Sequence, residues 1–287
     1  MTGEIMDHLS ANIKRLVDRY QPVTAEGVTL YPITVEELDL FYSVRPALEF
    51  MQQILPVDLL RIPLLSALYQ LELSIQIQTG ENKFNLFTKS VLLLVLALRL
   101  GQGMPENERI ALCKVEFDPQ HPLNLIALRF QTDGEGEIRI TPSQYDVLRP
   151  IIAAQNGAEI QPLDANPQLI LAERQIMSAK MPDLKRDLCN KISFVAMKSG
   201  VEDEVIYTWP ILKFERRATV AQMELNYMIY GIAQCSGFAK FENGNPCPSP
   251  FFERDLDALP AKMLSSVGNG AAARAVEAAS ENNPTQP

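Results

Sequence analysis

The chain has little of what most catalytic and metal sites are built from. Its 287 residues hold two histidines, one tryptophan and four cysteines. Cys113, Cys189, Cys235 and Cys247 are scattered with no CxxC pair, and His8 and His121 stand alone, so the spacing that wraps a tetrahedral zinc ion is missing. No metal and no cofactor are expected, and the thiols read as buried or idle. The sequence has no GxxxxGK[ST] or GxGxxG phosphate loop, no HExxH and no GxSxG elbow. Gly101-Gln102-Gly103 lacks the third glycine and reads as a helix stop. No catalytic residue is therefore assigned, and the expectation is a protein that is not an enzyme. The runner-up on that point is a site assembled from scattered carboxylates, which a pocket holding carboxylates of displaced titration would reveal.

Positive charge is also scarce. Lys and Arg number 26 against 35 Asp and Glu, for a net charge of −9, which argues against nucleic acid or an anionic membrane as partner, because both need a basic face. The longest apolar run, Val91 to Leu98, is bracketed by Lys89 and Arg99 and falls far short of the ~20 residues that cross a bilayer. The leading stretch MTGEIMDHLSANIKRL is charged and has no apolar h-region, so no secretory signal is expected. Without one, and without a disulfide pattern, a reducing cytoplasm is the expected compartment.

What is present is a core. Phe84 to Leu100 reads as a helix with no polar side along its second half, capped by Asn82 or Asn85; a buried strand is the rival reading. From Glu4 to Tyr20, Met6, Leu9, Ile13, Leu16, Val17 and Tyr20 follow helical spacing and make an amphipathic helix. Pro22 and Gly27 break it and offer a hinge. Val28 to Ile33 reads as a short edge strand. Thr34 with Glu37 has capping-box spacing and predicts a helix whose inner stripe is Leu38, Phe41, Val44, Leu48 and Met51. Another helix is expected from about Pro63.

The periodicity then changes. Ile110 to Phe117, Leu123 to Gln131 and Glu137 to Ile140 are short β-rich runs and predict an antiparallel meander. Thr141, Pro142 and Gln144 predict a capped helix to about Gln155, stopped by Asn156-Gly157. Pro167 to Lys180 and Asp183 to Lys198 read as helices, and Glu202 to Tyr207 as a strand or a helical turn. Thr208 to Gln234 reads as the longest helix, with Leu225, Met228, Ile229 and Ile232 as its inner stripe. Phe238 to Asn245 suits a short hairpin, and the chain from Ser265 on lacks the apolar residues that would offset its ordering entropy. Asp133, Glu135 and Glu137 read as a solvated turn, with carboxylates presented to a cation as the lesser reading, and Trp209 with Tyr207, Tyr227 and Tyr230 as ordinary packing, with an aromatic interaction surface as the lesser reading.

Several segments in a fixed order carry a resemblance. They are Leu30-Tyr31-Pro32-Ile33, Ile138-Arg139-Ile140 before Thr141, Ile151-Ile152-Ala153-Ala154-Gln155-Asn156, Asn166-Pro167-Gln168-Leu169, Leu225-Asn226-Tyr227-Met228-Ile229-Tyr230, Ser236-Gly237-Phe238 and Phe241-Glu242-Asn243-Gly244. Together they resemble a bacteriophage tail-gene-cluster protein family of phages with contractile tails, similar to tail-assembly or baseplate-morphogenesis factors. The resemblance spans about Leu30 to Phe252 and brings no catalytic motif. It implies a chaperone-like role in virion morphogenesis by protein-protein interaction with other phage tail or baseplate proteins in the host cytoplasm. A structural subunit kept in the virion is the alternative it leaves open.

The expected fold is α+β, mainly α-helical with a small antiparallel β-meander. Its expected parts are an N-terminal helical region over 1–106, the meander over 107–141, a C-terminal helical region over 142–260 that packs with the first, and a disordered tail over 261–287. The expected partner-binding residues are the stripe of the first helix: Met6, Leu9, Ile13, Leu16, Val17 and Tyr20.

Overall fold

The computed structural model describes residues 9–79, 85–132, 136–160, 166, 168, 172 and 188–236. The chain divides into two compact units, Glu4–Ala218 and Met1–Gly3 with Thr219–Pro287. The fold is α+β and mainly helical, with one three-stranded and one two-stranded antiparallel sheet. Helix α1 (Ala11–Asp18) starts at Ser10, whose hydroxyl accepts a hydrogen bond from the Ile13 amide at 3.4 Å. The break that follows is a hairpin and not a hinge. Strands β1 (Val23–Ala25) and β2 (Val28–Leu30) pair from Val23↔Leu30 to Ala25↔Val28. Glu26 and Gly27 turn the chain with φ of 51° and 76°, both positive as in the type I′ turn that matches strand twist.

Thr34 and Glu37 have capping-box spacing without making the box. Thr34 gives no side-chain cap and instead bridges Pro210, while Val35 donates to the Trp209 carbonyl and Ile211 to the Ile33 carbonyl, both at 2.9 Å. Arg109 takes Glu37, donating to its two carboxylate oxygens at 2.9 and 2.8 Å. The helix consequently begins later, as α2 (Leu38–Leu48), with Leu38, Phe41, Val44 and Leu48 buried and Met51 buried beyond its end. Helix α3 (Leu64–Thr79) follows Pro63, and its first amide, Leu64, donates to Asp146 Oδ1 at 3.2 Å.

Helix α4 (Leu86–Ala97) is covered on all sides: no residue from Val91 to Leu98 is more than 6% exposed. Each large side chain there contributes roughly 1.5–3 kcal/mol by leaving water. Asn85 makes no side-chain cap. Glu72 of α3 does that work from across the core, accepting from the Phe87 and Thr88 amides at 2.9 and 3.4 Å and from the Thr88 hydroxyl at 2.6 Å. The far end closes with Arg99 at φ 56°, Arg99 donating to Leu96 and Leu100 to Val95, both at 3.0 Å. That is the bond pair of a Schellman motif, with arginine where glycine is usual. Its guanidinium lies 5.0 Å from the Tyr31 ring centre.

Where a strand was expected from Ile110, a short helix α5 (Glu106–Ala111) comes first. Strands β3 (Cys113–Phe117), β4 (Leu125–Gln131) and β5 (Glu137–Ile140) then form the meander in that spatial order. Helix α6 (Pro142–Gln155) carries the full capping box: Thr141 Oγ1 accepts from the Gln144 amide at 3.3 Å and Gln144 Oε1 from the Thr141 amide at 2.9 Å. Gly157, at φ 65°, ends it. Helices α7 (Leu188–Ser199), α8 (Asp203–Tyr207) and α9 (Ile211–Cys235, 25 residues) complete the order, so Glu202 to Tyr207 resolves as a helical turn. Within 4–218, α2 lies along α4, α4 also meets α3 and α5, and α3 meets α6. The helix expected over Pro167–Lys180 lies, apart from Gln168 and Ala172, outside the described residues, as do the hairpin from Phe238 and the tail over 261–287.

Candidate functional site

The apolar stripe of the first helix turns toward its own fold. Val17 is 1% exposed, and Leu9, Ile13, Leu16 and Tyr20 are half-buried against the core; Met6 lies outside the described residues. Arg216 holds the helix in place, 3.5 Å from the Asp18 carboxylate and with its guanidinium 5.8 Å from the Tyr20 ring centre. Of the described residues of this stripe only Val17 is fully buried, and the other four share their surface between the core and solvent.

The buried polar side chains stitch elements together. On α6, Arg149 donates to the Leu48 and Phe50 carbonyls, each at 2.6 Å, where the end of α2 exposes unpaired acceptors. Gln155 donates to the Gln21 and Leu30 carbonyls at 3.3 and 3.2 Å, and Asn156 accepts from the Ile33 amide at 2.9 Å while donating to Ile152 at 2.8 Å. Beside the Glu37–Arg109 pair lies a cleft of about 10 Å³, room for no more than a water molecule.

Among the described residues two carboxyl groups are displaced from their ordinary ranges, and neither lines that cleft. Burial raises Asp146, against the lowering effect of the Leu64 amide. Hydrogen bonds from Arg129 and then Arg139 hold the Glu116 carboxyl below its ordinary range on the outer face of the sheet. Glu137 sits 3.4 Å from Arg129, while Asp133 and Glu135 lie outside the described residues. Burial pushes the Cys113 thiol up to about 12. Among the described residues no group of three or more His, Cys, Asp or Glu is placed to hold a metal, and no helix is long and apolar enough to cross a membrane.

The expected inner stripe of α9 is corrected by the structure. Its burial is used up early: Ile211, Leu212, Phe214 and Ala218 join the core of 4–218. Further along, Met228, Ile229 and Ile232 are 46%, 53% and 67% exposed, and Tyr227 and Tyr230 are exposed as well. Successive helical residues step by about 100°, so the exposed run Tyr227 to Tyr230 passes right round the helix. Charge is absent here too: no Lys, Arg, Asp or Glu occurs from Leu225 to Ser236. A helix surface that is apolar and uncharged is the kind of patch that marks an interaction site on a folded protein.

The apolar residues of α9 follow one seam from end to end. Ile211, Phe214, Ala218, Ala221, Leu225, Met228, Ile232 and Cys235 alternate in steps of three and four, the a/d pattern that helices use to pack on helices. Ile211, Phe214, Ala218 and Ala221 are buried, whereas Met228, Ile232 and Cys235 are exposed. The lack of charge was the sequence signal that distinguished the outer half from an ordinary inner stripe.

A second apolar surface is the edge strand β3, where Val115 and Phe117 are exposed. It carries the usual guards against strand addition: Lys114 sits on the edge, and the register shifts between Glu116 and Phe117. Comparison with protein-family models, curated proteins and solved structures returned no match.

Proposed function

We propose that the chain is an assembly factor for a bacteriophage tail or baseplate, working in the host cytoplasm by binding other proteins through the second half of α9. The observation that carries the binding role is the exposed, uncharged surface around Met228, Ile229 and Ile232. Such a surface is costly to leave in water and suits the helical or apolar face of another protein. The phage assignment rests on the resemblance of the segments from Leu30 to Phe252, among them Leu225 to Tyr230, which lie on this same surface. The net charge of −9 favours protein partners over nucleic acid.

The test is capture of a tagged chain from infected cells, beside a variant carrying Met228→Glu and Ile232→Glu. Tail or baseplate proteins should come down with the wild type and not with the variant. Recovery of no phage protein, or equal recovery by both chains, would contradict the proposal. A proteomic inventory of purified virions then places the role: an assembly factor should be scarce there, and stoichiometric amounts would make the chain a structural subunit.

A further inference from the structure

We propose that the cleft beside the Glu37–Arg109 pair is a binding site for a single carboxylate group. It is built from residues of 4–218 alone and does not depend on the reading of α9. Two stretches meet there: the turn leading into α2, with Thr34 and Glu37, and the chain leaving α4, with Arg99 and Gln102. Arg109 of α5 also lines it and is 4% exposed.

The cleft gathers donors that the fold leaves unspent. Arg109 uses one N–H on the Met104 carbonyl at 2.8 Å and two on Glu37. An arginine carries five, so two remain on a guanidinium that is almost wholly out of water, and a buried donor costs free energy until something accepts from it. Among the described residues the Thr34 hydroxyl and the Gln102 carboxamide have no hydrogen-bond partner. Arg99 holds a φ of 56°, where glycine would be relaxed. Such an outlier points to a use for the side chain, and stacking on Tyr31 at 5.0 Å keeps the guanidinium at the rim. The loop that carries Arg99 and Gln102 is packed on the end of α5, since a Cβ at Gly101 would sit 2.8 Å from Leu112 Cδ1. The donors are therefore placed before any ligand arrives.

Charge and size select the ligand. Two guanidiniums against the Glu37 carboxylate leave one positive charge, which a monoanion neutralises. A cleft of about 10 Å³ admits one oxygen atom the size of a water molecule. One carboxylate oxygen fits inside, and the other stays at the rim, where exposed Arg99 makes the charge-assisted bond that a planar carboxylate favours. A phosphate or sulfate brings more oxygens and more charge than the cleft can take.

The test is a titration of the full-length chain, isotope-labelled at its arginines, with acetate against chloride at constant ionic strength, reading the side-chain N–H resonances of Arg99 and Arg109. Acetate should give saturable shifts in the millimolar range, and chloride should not. Arg99→Gly relaxes the backbone, so the protein should keep its fold, while acetate affinity read at Arg109 should fall by about tenfold or more. Thr34→Val, of the same shape without the hydroxyl, should weaken it by about threefold. Arg217→Gln removes the same charge at an exposed site on α9 and should bind acetate like the wild type. A short peptide with blocked ends and one glutamate separates the sources: tighter binding than acetate assigns the site to an acidic side chain of a protein, and exclusion beside acetate binding assigns it to a small free acid. Absence of a saturable acetate shift overturns the proposal, as do equal shifts from chloride or undiminished binding by Arg99→Gly.

Discussion

Replacing Glu72 with alanine tests how the central helix is held. The carboxylate is 7% exposed and satisfies the first turn of α4 from across the core, through the Phe87 and Thr88 amides and the Thr88 hydroxyl. Losing a cap costs ~1 kcal/mol, and a hydrogen bond to a charged group is worth about 1.5–3 kcal/mol. Because Phe87 is itself buried, its amide would gain no water in exchange. The expected loss is about 3 kcal/mol, and at roughly 2–4 °C per kcal/mol for a chain this large the melting temperature should fall by about 6–12 °C. Glu72→Gln keeps one acceptor oxygen and should lose about half as much. Thermal melts by circular dichroism, run at one fixed protein concentration so that association does not enter, measure both. A Glu72→Ala protein within about 1 kcal/mol of the wild type would refute the cross-core cap.

Arg109→Met should cost about 3–5 kcal/mol by stranding Glu37, whereas Glu37→Leu with Arg109→Met should come back close to wild type, as urea melts of the cycle would show. Val17→Asp places a charge at a position 1% exposed and should destabilise the fold by several kcal/mol; a normal melt would mean that α1 leaves the core at little cost. Asp146 has a folded-state pKa raised above its ordinary 3.8, so the folded form holds its proton longer and stability should fall as pH rises through that window. Asp146→Asn should remove this part of the pH dependence in denaturant titrations, while its side-chain oxygen still accepts from Leu64. Cys113, with its thiol pushed up to about 12, should alkylate ~1,000-fold more slowly than an ordinary thiol, and peptide mapping should find exposed Cys189 and Cys235 modified first.

The legible features were those whose partners sit close in sequence. Thr141 and Gln144 lie three residues apart, and their box forms as read. Thr34 and Glu37 share that spacing, yet Glu37 is taken by Arg109, 72 residues on, and no local pattern reveals such a competitor. For the same reason the cap on α4 was sought at Asn82 or Asn85 and lies on Glu72. The β1–β2 hairpin was lost because Pro22 and Gly27 read as breakers, although Glu26-Gly27 is a turn pair. The apolar spacing of α1 was read correctly, but amphipathicity does not say whether a stripe meets its own core or a partner. On α9 the same ambiguity ran the other way: Met228, Ile229 and Ile232 were assigned inside, and only the missing charges around them set that half apart.

The most direct measurement of the account's central claim, that the second half of α9 is a protein-binding face, is amide hydrogen exchange on the full-length chain alone and with a tail or baseplate protein it captures. Exchange over Leu225 to Cys235 should slow in the complex, while Leu86 to Ala97, protected in the core in both states, should not change. Identical exchange over Leu225 to Cys235 with and without the bound protein would contradict it.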